Sequence, residues 1–293
     1  MTSSSGPRYD TIGQSYAATR RTDPRIAAQI ERALGDSRTV VNVGAGTGNY
    51  EPPERTVVAV EPSSTMIAQR PPGSAPVIRG VAEHLPFADD AFDAAMAVLT
   101  VHHWSDRDAG LEELRRVSTR QVVFLFSPFE VGRYWLVDDY FPEYVQLETE
   151  HDAPSPELLA RHLDVQRVEP IPIPGDCVDG FGSAYWNRPE AHLDPTVRAG
   201  ISFLALMDPA VVERNVARLA SELADGTWDA KYGHLRDQET IDLGLRLVMS
   251  SGTRARRTVR TSTSLCRHLH RGHHPITGET QAAAPRRREA ISR

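Results

Sequence analysis

The chain has 293 residues, 40% of them hydrophobic and 25% charged, which allows a sizeable core and excludes the compositions of disordered, collagen-like and disulfide-stapled chains. No apolar run approaches the roughly 20 residues of a membrane helix, and the opening MTSSSGPRYD lacks the basic patch and apolar stretch of a secretory signal, so a cytoplasmic protein without membrane partners is expected. The net charge of −6 divides unevenly, with ten Arg against two Glu (+8) in residues 251–293 and −14 on residues 1–250; an acidic body argues against a nucleic-acid partner, whose phosphates need clustered Lys and Arg.

After a polar start, Asp23 and Pro24 read as the N-cap and first residue of a helix. Ile26, Ile30, Ala33 and Leu34 form its apolar face, and Gly35 is its stop. Thr39–Val43 and Val57–Val60 are short β-branched runs, the first followed by glycines and the second by Glu61; both read as buried parallel strands. Val77–Arg79, Ala94–Leu99 and Gln121–Phe126 are three further strand candidates. Between the last two, Ser105 with Asp108 resembles a capping box ahead of the apolar stripe Leu111, Leu114 and Val117. This alternation predicts an α/β fold, a Rossmann-like doubly wound and mostly parallel sheet with right-handed crossovers.

Beyond residue 127 the rhythm changes. Ser155 caps a predicted short helix over Pro156–Leu163, and Val165–Ile173 reads as an edge strand that tolerates its prolines. Asp194 before Pro195 and Asp208 before Pro209 start two helices alike, the second carrying Val212, Val216, Leu219 and Leu223 on a face expected to lie over the sheet. Asp242–Met249 is the last predicted strand, and residues 251–293 lack any apolar period and read as a disordered basic tail.

The most informative segment is VVNVGAGTGNYEPPERTVVAVEP, residues 40–62. Strand, glycine loop, strand and terminal acid come in the order that places a nucleotide-like ligand at the carboxyl ends of parallel strands. A dinucleotide fingerprint would require a small residue where Asn49 stands. Pro52 and Pro53 also leave little room for a helix whose N-terminus would meet a pyrophosphate. A nicotinamide or flavin oxidoreductase is thus the disfavoured enzyme alternative, and a cofactor-binding scaffold without catalysis is the non-enzyme one.

The spacing resembles the first motif of class I S-adenosylmethionine-dependent methyltransferases. AEHLPFADDAFDAAMAVLTVHHW, residues 82–104, looks like the adenine-loop and fourth-strand block of the methyltransferase type 11 family. The resemblance covers residues 39–126 and implies S-adenosyl-L-methionine as cofactor. It sets Gly44, Ala45, Gly46 and Gly48 against the methionine part, Glu61 on both ribose hydroxyls with Pro62 beside it, Ala82, Glu83 and Leu85 around the adenine, and Leu99 and His102 at the end of the fourth strand. Two positions depart from the family, which usually has acids where Asn42 and Val81 stand. The Asn42 amide can still accept from the cofactor's ammonium, and Glu83 is the candidate replacement at the adenine.

Methyl transfer from a sulfonium is an in-line displacement in which the protein mainly aligns the acceptor and excludes water. His102 and His103 are candidate proton acceptors, with Trp104 a candidate pocket wall; plain wall-lining is the competing reading for all three. Tyr9 and Tyr16 match the family's amino-terminal lid position. Tyr185 and Trp186, beside Phe181 and Arg188, are expected to contact a small-molecule methyl acceptor, with core packing as the alternative. The domain is expected to run over residues 1–250, with a cofactor-binding core at 39–126 and a helical acceptor-side cap at 175–235. Cys266, His268, His270, His273 and His274 are metal-ligand types in a segment without a scaffold, so no metal is expected. Cys177 and Cys266 are expected to remain free thiols.

Overall fold

A computed structural model of the chain describes residues 19–127, 134–146 and 154–251. Tyr9, Tyr16, Cys266 and the histidines of the basic tail lie outside the described residues.

Helix α1 (Pro24–Leu34) starts at Asp23, whose side chain accepts from the Arg25 amide, and ends at Gly35; Ile26, Ile30, Ala33 and Leu34 are its buried face. The chain continues through β1 (Thr39–Val43), β2 (Thr56–Glu61), α2 (Ser64–Ala68), β3 (Val77–Arg79), β4 (Phe92–Val98), α3 (Arg107–Val117) and β5 (Ser118–Phe126). All five strands pair in parallel in the order β3-β2-β1-β4-β5. The order reverses between β1 and β4, and the carboxyl ends of those strands therefore flank the crevice in which doubly wound sheets bind ligands. The strands are near-continuous apolar runs because the sheet is covered on both faces.

Downstream come α4 (Pro156–Leu159), β6 (Val165–Pro170), β7 (Ile173–Pro174), α5 (Pro195–Ala199), α6 (Ser202–Leu206), α7 (Pro209–Ala224), α8 (Thr227–Tyr232), β8 (Thr240–Ile241) and β9 (Leu245–Ser251). β9 inserts antiparallel between β5 and β6 and completes a seven-stranded sheet, while β7 and β8 form a separate antiparallel ribbon. β6 sits at the edge, where Pro170 removes no ladder donor from a neighbour.

Three local expectations are corrected. The cap of α3 is Asp106, accepting from the Ala109 amide at 3.0 Å, because the Ser105 hydroxyl donates instead to Glu83. The predicted helix over Pro156–Leu163 stops at Leu159. The apolar side of α7 packs chiefly against α8 and the turns at residues 136–140 and 189–193, and less against the sheet. Leu219 is fully buried, and Val212, Val216 and Leu223 are partly buried against the same core. Among the described residues, no helix is long and apolar enough to cross a membrane.

Candidate cofactor and acceptor site

The loop after β1 folds back on β2. The Gly44 and Ala45 amides both donate to the Val60 carbonyl, at 2.9 and 3.0 Å. Gly44 has φ 70°, and a Cβ there would lie 2.1 Å from Thr100 Oγ1, so a side chain is excluded by both conformation and space. That close approach ties the glycine loop to the segment following β4. Glu61, 5% exposed, accepts from the Gly46 amide on Oε2 and from the Ser63 amide on Oε1, both at 2.8 Å. These two bonds fix the orientation of the acid at the end of β2. Pro62 is half-buried beside it, its carbonyl accepting from Arg79 Nε at 3.2 Å.

Asn42 is the polar residue of an otherwise apolar stretch of β1 and is 1% exposed. Its Nδ2 donates to Glu51 Oε1 at 3.1 Å, whereas its Oδ1 is buried and has no hydrogen-bond partner among the described residues. A buried acceptor left open in this way has lost its hydration without compensation. A ligand donor at this position would satisfy it.

Leu99 leaves β4 with φ 49°, uncommon for a residue with a branched side chain, and a single 3-10 turn, Val101–His103, follows. The His102 and His103 rings lie 3.7 Å apart between centroids, and both line a cavity of about 120 Å³. Phe126, Tyr134, Tyr144, Phe181 and Phe203 supply aromatic wall, and Arg20 is the one permanently charged side chain among the described lining residues. Arg20 reaches the cavity from the segment before α1 and is held from behind. Its Nε and Nη2 donate to the fully buried Asp179 at 2.6 and 3.2 Å, and the Tyr50 hydroxyl donates to the same carboxylate at 2.9 Å. Burial raises the Tyr134 phenol far above its usual range, and its hydroxyl donates to the Gly182 carbonyl at 3.2 Å.

Other residues singled out from the sequence stand elsewhere. Trp104 packs over Gly110 of α3, where an added Cβ would meet its ring at 2.5 Å. Trp186 is fully buried, its indole donating to the Pro174 carbonyl at 3.4 Å and its own carbonyl accepting from Trp135 at 2.7 Å. Tyr185 packs edge-on against His192, with the Arg188 guanidinium 5.1 Å from its ring centroid. Ala82 and Leu85 are buried in the core cluster that contains the α3 stripe. Glu83 Oε1 accepts from the Ser105 amide, the Ser105 hydroxyl and the Asp106 amide at 2.7 to 3.0 Å. Burial raises the Glu83 carboxyl, but these hydrogen bonds outweigh it and hold the group below its ordinary value. Arg20, Tyr134 and Phe203 carried no motif. Their placement depends on partners far along the chain, Asp179 for Arg20 above all.

Comparison with known proteins points the same way as the loop geometry. The family model described as a methyltransferase domain matches residues 41–126. A crystal structure from Anabaena variabilis ATCC 29413, named as a candidate methyltransferase of an antibiotic biosynthesis pathway, is 32% identical, covers 80% of this chain and 99% of its own, and superposes with a TM-score of 0.73. The chain belongs to the S-adenosylmethionine-dependent methyltransferases of the type 11 family.

The uncharacterised methyltransferase YcgJ of Bacillus subtilis is 30% identical over 115 residues, which is 36% of this chain and 42% of that protein. A demethylmenaquinone methyltransferase of Deinococcus radiodurans is 28% identical over 160 residues, 50% of this chain and 66% of that protein. The chain thus matches less than two thirds of the length of either of these two relatives. S-adenosylmethionine is the cofactor of the methyltransferase family, and the residues present fit it. The unpartnered Asn42 Oδ1 suits an ammonium donor, and the Glu61 carboxylate suits a diol.

Proposed function

We propose that this chain transfers the methyl group of S-adenosylmethionine to a small, flat organic molecule held in the cavity beside His102 and His103. In this reading Asn42, Gly44, Ala45, Gly46, Gly48 and Glu61 hold the cofactor, with Pro62, Ala82, Leu85 and Leu99 around it. Glu83 is left out of the adenine contact because its carboxylate is engaged with Ser105 and Asp106. The observation that carries the reading is the continuity of one short segment. Thr100 touches the glycine loop, while Leu99, His102 and His103 on either side of it line the cavity. Cofactor loop and acceptor cavity are then separated by a single residue of backbone, which suits an in-line displacement.

The cofactor supplies the electrophilic methyl group. The protein's part is to align the acceptor against the aromatic walls, exclude water, and take up the acceptor's proton on His102 or His103 where that acceptor is a hydroxyl. A cavity of about 120 Å³ is close to the about 150 Å³ of an apolar cavity that takes benzene, which fits an acceptor of about one ring. Among the described lining residues Arg20 is present and no carboxylate is, which favours a neutral or anionic acceptor over an amine cation.

The test is a labelled-methyl transfer screen over ring-bearing hydroxyl, acid and amine acceptors, with calorimetry of S-adenosylmethionine and its demethylated product alongside. Binding of both and transfer to a neutral or anionic ring compound is expected. NAD binding tighter than either ligand overturns the methyltransferase reading, and cofactor binding without transfer to any acceptor class favours the scaffold.

A further inference from the structure

The family acid that is missing at position 42 has a counterpart nine residues on. Glu51 lies in the glycine loop's continuation, and Arg70 lies just past α2. Their side chains form a buried ion pair at 2.8 Å, with side-chain exposures of 9% and 5%. The pair is well furnished. Arg70 Nη2 donates to both Glu51 oxygens at 2.8 Å and to the Ala75 carbonyl at 3.1 Å, the Ala75 amide donates to Glu51 Oε2 at 3.3 Å, and Arg70 Nη1 donates to the Gly46 carbonyl at 3.3 Å. The guanidinium also lies over Gly48, where an added Cβ would meet it at 3.2 Å. A buried pair with this many supporting hydrogen bonds recovers much of its desolvation cost, and it holds the glycine loop from below.

What distinguishes the pair is its third partner, Asn42. A carboxyamide has a donor end and an acceptor end of nearly the same shape, and its neighbours decide which end faces where. An ionised Glu51 is acceptor-only. Oε1 therefore binds the Asn42 NH2 group, at 3.1 Å, and leaves the buried carbonyl oxygen as the open end, which is the orientation found. With the amide turned over, Asn42 would present N–H groups to a cationic ammonium.

We propose that Glu51, paired with and anchored by Arg70, is a positioning residue that fixes the Asn42 amide so that its Oδ1 accepts from the α-ammonium of the cofactor's methionine part. This rests on the S-adenosylmethionine reading. It assigns to a relayed Glu–Asn pair the task that one acid at position 42 performs elsewhere in the family.

The test uses two ligands that share adenosine and sulfur but differ in the amino-acid part: S-adenosylhomocysteine, and methylthioadenosine, which has no ammonium. In Glu51→Gln the oxygen is expected at the Oε2 position, where both Arg70 and the Ala75 amide donate; the new NH2 at the Oε1 position gives up one Arg70 bond and faces the Asn42 NH2, so the Asn42 amide is expected to flip. By calorimetry on the full chain, this variant is expected to lose at least tenfold in affinity for S-adenosylhomocysteine and less than twofold for methylthioadenosine. Adding Asn42→Asp to Glu51→Gln should restore S-adenosylhomocysteine binding, because a carboxylate accepts from either side. Equal losses for both ligands, no loss for either, or failure of Asn42→Asp to rescue overturns the assignment. A wild-type chain that binds neither ligand overturns the cofactor reading and takes this one with it.

Discussion

Glu61 and Gly46 are joined by a 2.8 Å hydrogen bond from the glycine's amide to the carboxylate at the end of β2. The glycine loop and the neighbouring strand end thus share one acid, which is buried and whose second oxygen is tied to Ser63. An acid so placed has a structural duty as well as any duty to a ligand diol.

Glu61→Ala removes both. It is expected to weaken S-adenosylhomocysteine and methylthioadenosine alike, by about 1–3 kcal/mol, since both ligands carry the ribose. This pattern separates it from Glu51→Gln, which spares the second ligand. Unchanged affinity for both in calorimetry would place the ribose elsewhere.

The cavity wall and the buried aromatic cluster behind it should respond differently to truncation. Phe203 is 7% exposed, lines the cavity and meets Phe141 and Tyr144 edge-on, so Phe203→Ala enlarges the acceptor space. Trp186 is fully buried, its indole N–H donating to the Pro174 carbonyl and its own carbonyl accepting from the Trp135 indole. Trp186→Ala is expected to cost about 3–5 kcal/mol of folding stability, as other large-to-small core changes do, measurable by urea unfolding. Phe203→Ala is expected to raise KM for the acceptor with a smaller fall in stability and little change in cofactor affinity. A Trp186→Ala protein of wild-type stability with a raised KM would return that residue to the acceptor site.

The elements governed by local chemistry were legible in the sequence. Asp23 before Pro24, Asp194 before Pro195 and Asp208 before Pro209 each form the expected N-cap, because the deciding hydrogen bond spans two residues. The strand–glycine–strand–acid order likewise placed Asn42, Gly44 and Glu61 together, since a parallel β1–β2 pair leaves them little freedom. Features decided by distant partners were not legible. Arg20 enters the cavity wall because Asp179, 159 residues away, holds it there. Tyr185 and Trp186 carried the same aromatic signal as Phe181, yet of these three only Phe181 lines the cavity. Glu83 looked available for a ligand until α3 brought Ser105 and Asp106 against it.

His192 gives the fold an acid-sensitive point. It is fully buried, with its ring edge-on to Trp135 and Tyr185 at centroid distances of 5.8 and 5.7 Å, and neither ring nitrogen has a hydrogen-bond partner among the described residues. Burial, reinforced by the nearby Arg198 and Arg188 charges, pushes its pKa down to about 3. An unfolded histidine titrates near 6.5. Above that value both states are neutral at this residue and it contributes no pH dependence. Between about 6.5 and the folded value of about 3 the unfolded chain binds a proton that the native one refuses, so stability falls as pH falls, by up to about 1.4 kcal/mol per pH unit from this residue. Asp23 acts lower. Burial raises its pKa, but the hydrogen bonds from Arg25 and Val178 prevail and bring it to about 2, so its contribution is lost below the ordinary carboxylate range. Urea unfolding between about pH 6 and pH 4.5 therefore isolates the histidine from that acid. In that window His192→Phe, which keeps a flat ring between Trp135 and Tyr185, is expected to show a stability slope shallower than wild type by about one proton's worth. Parallel slopes for the two proteins would mean that His192 is hydrated or protonated in the native state.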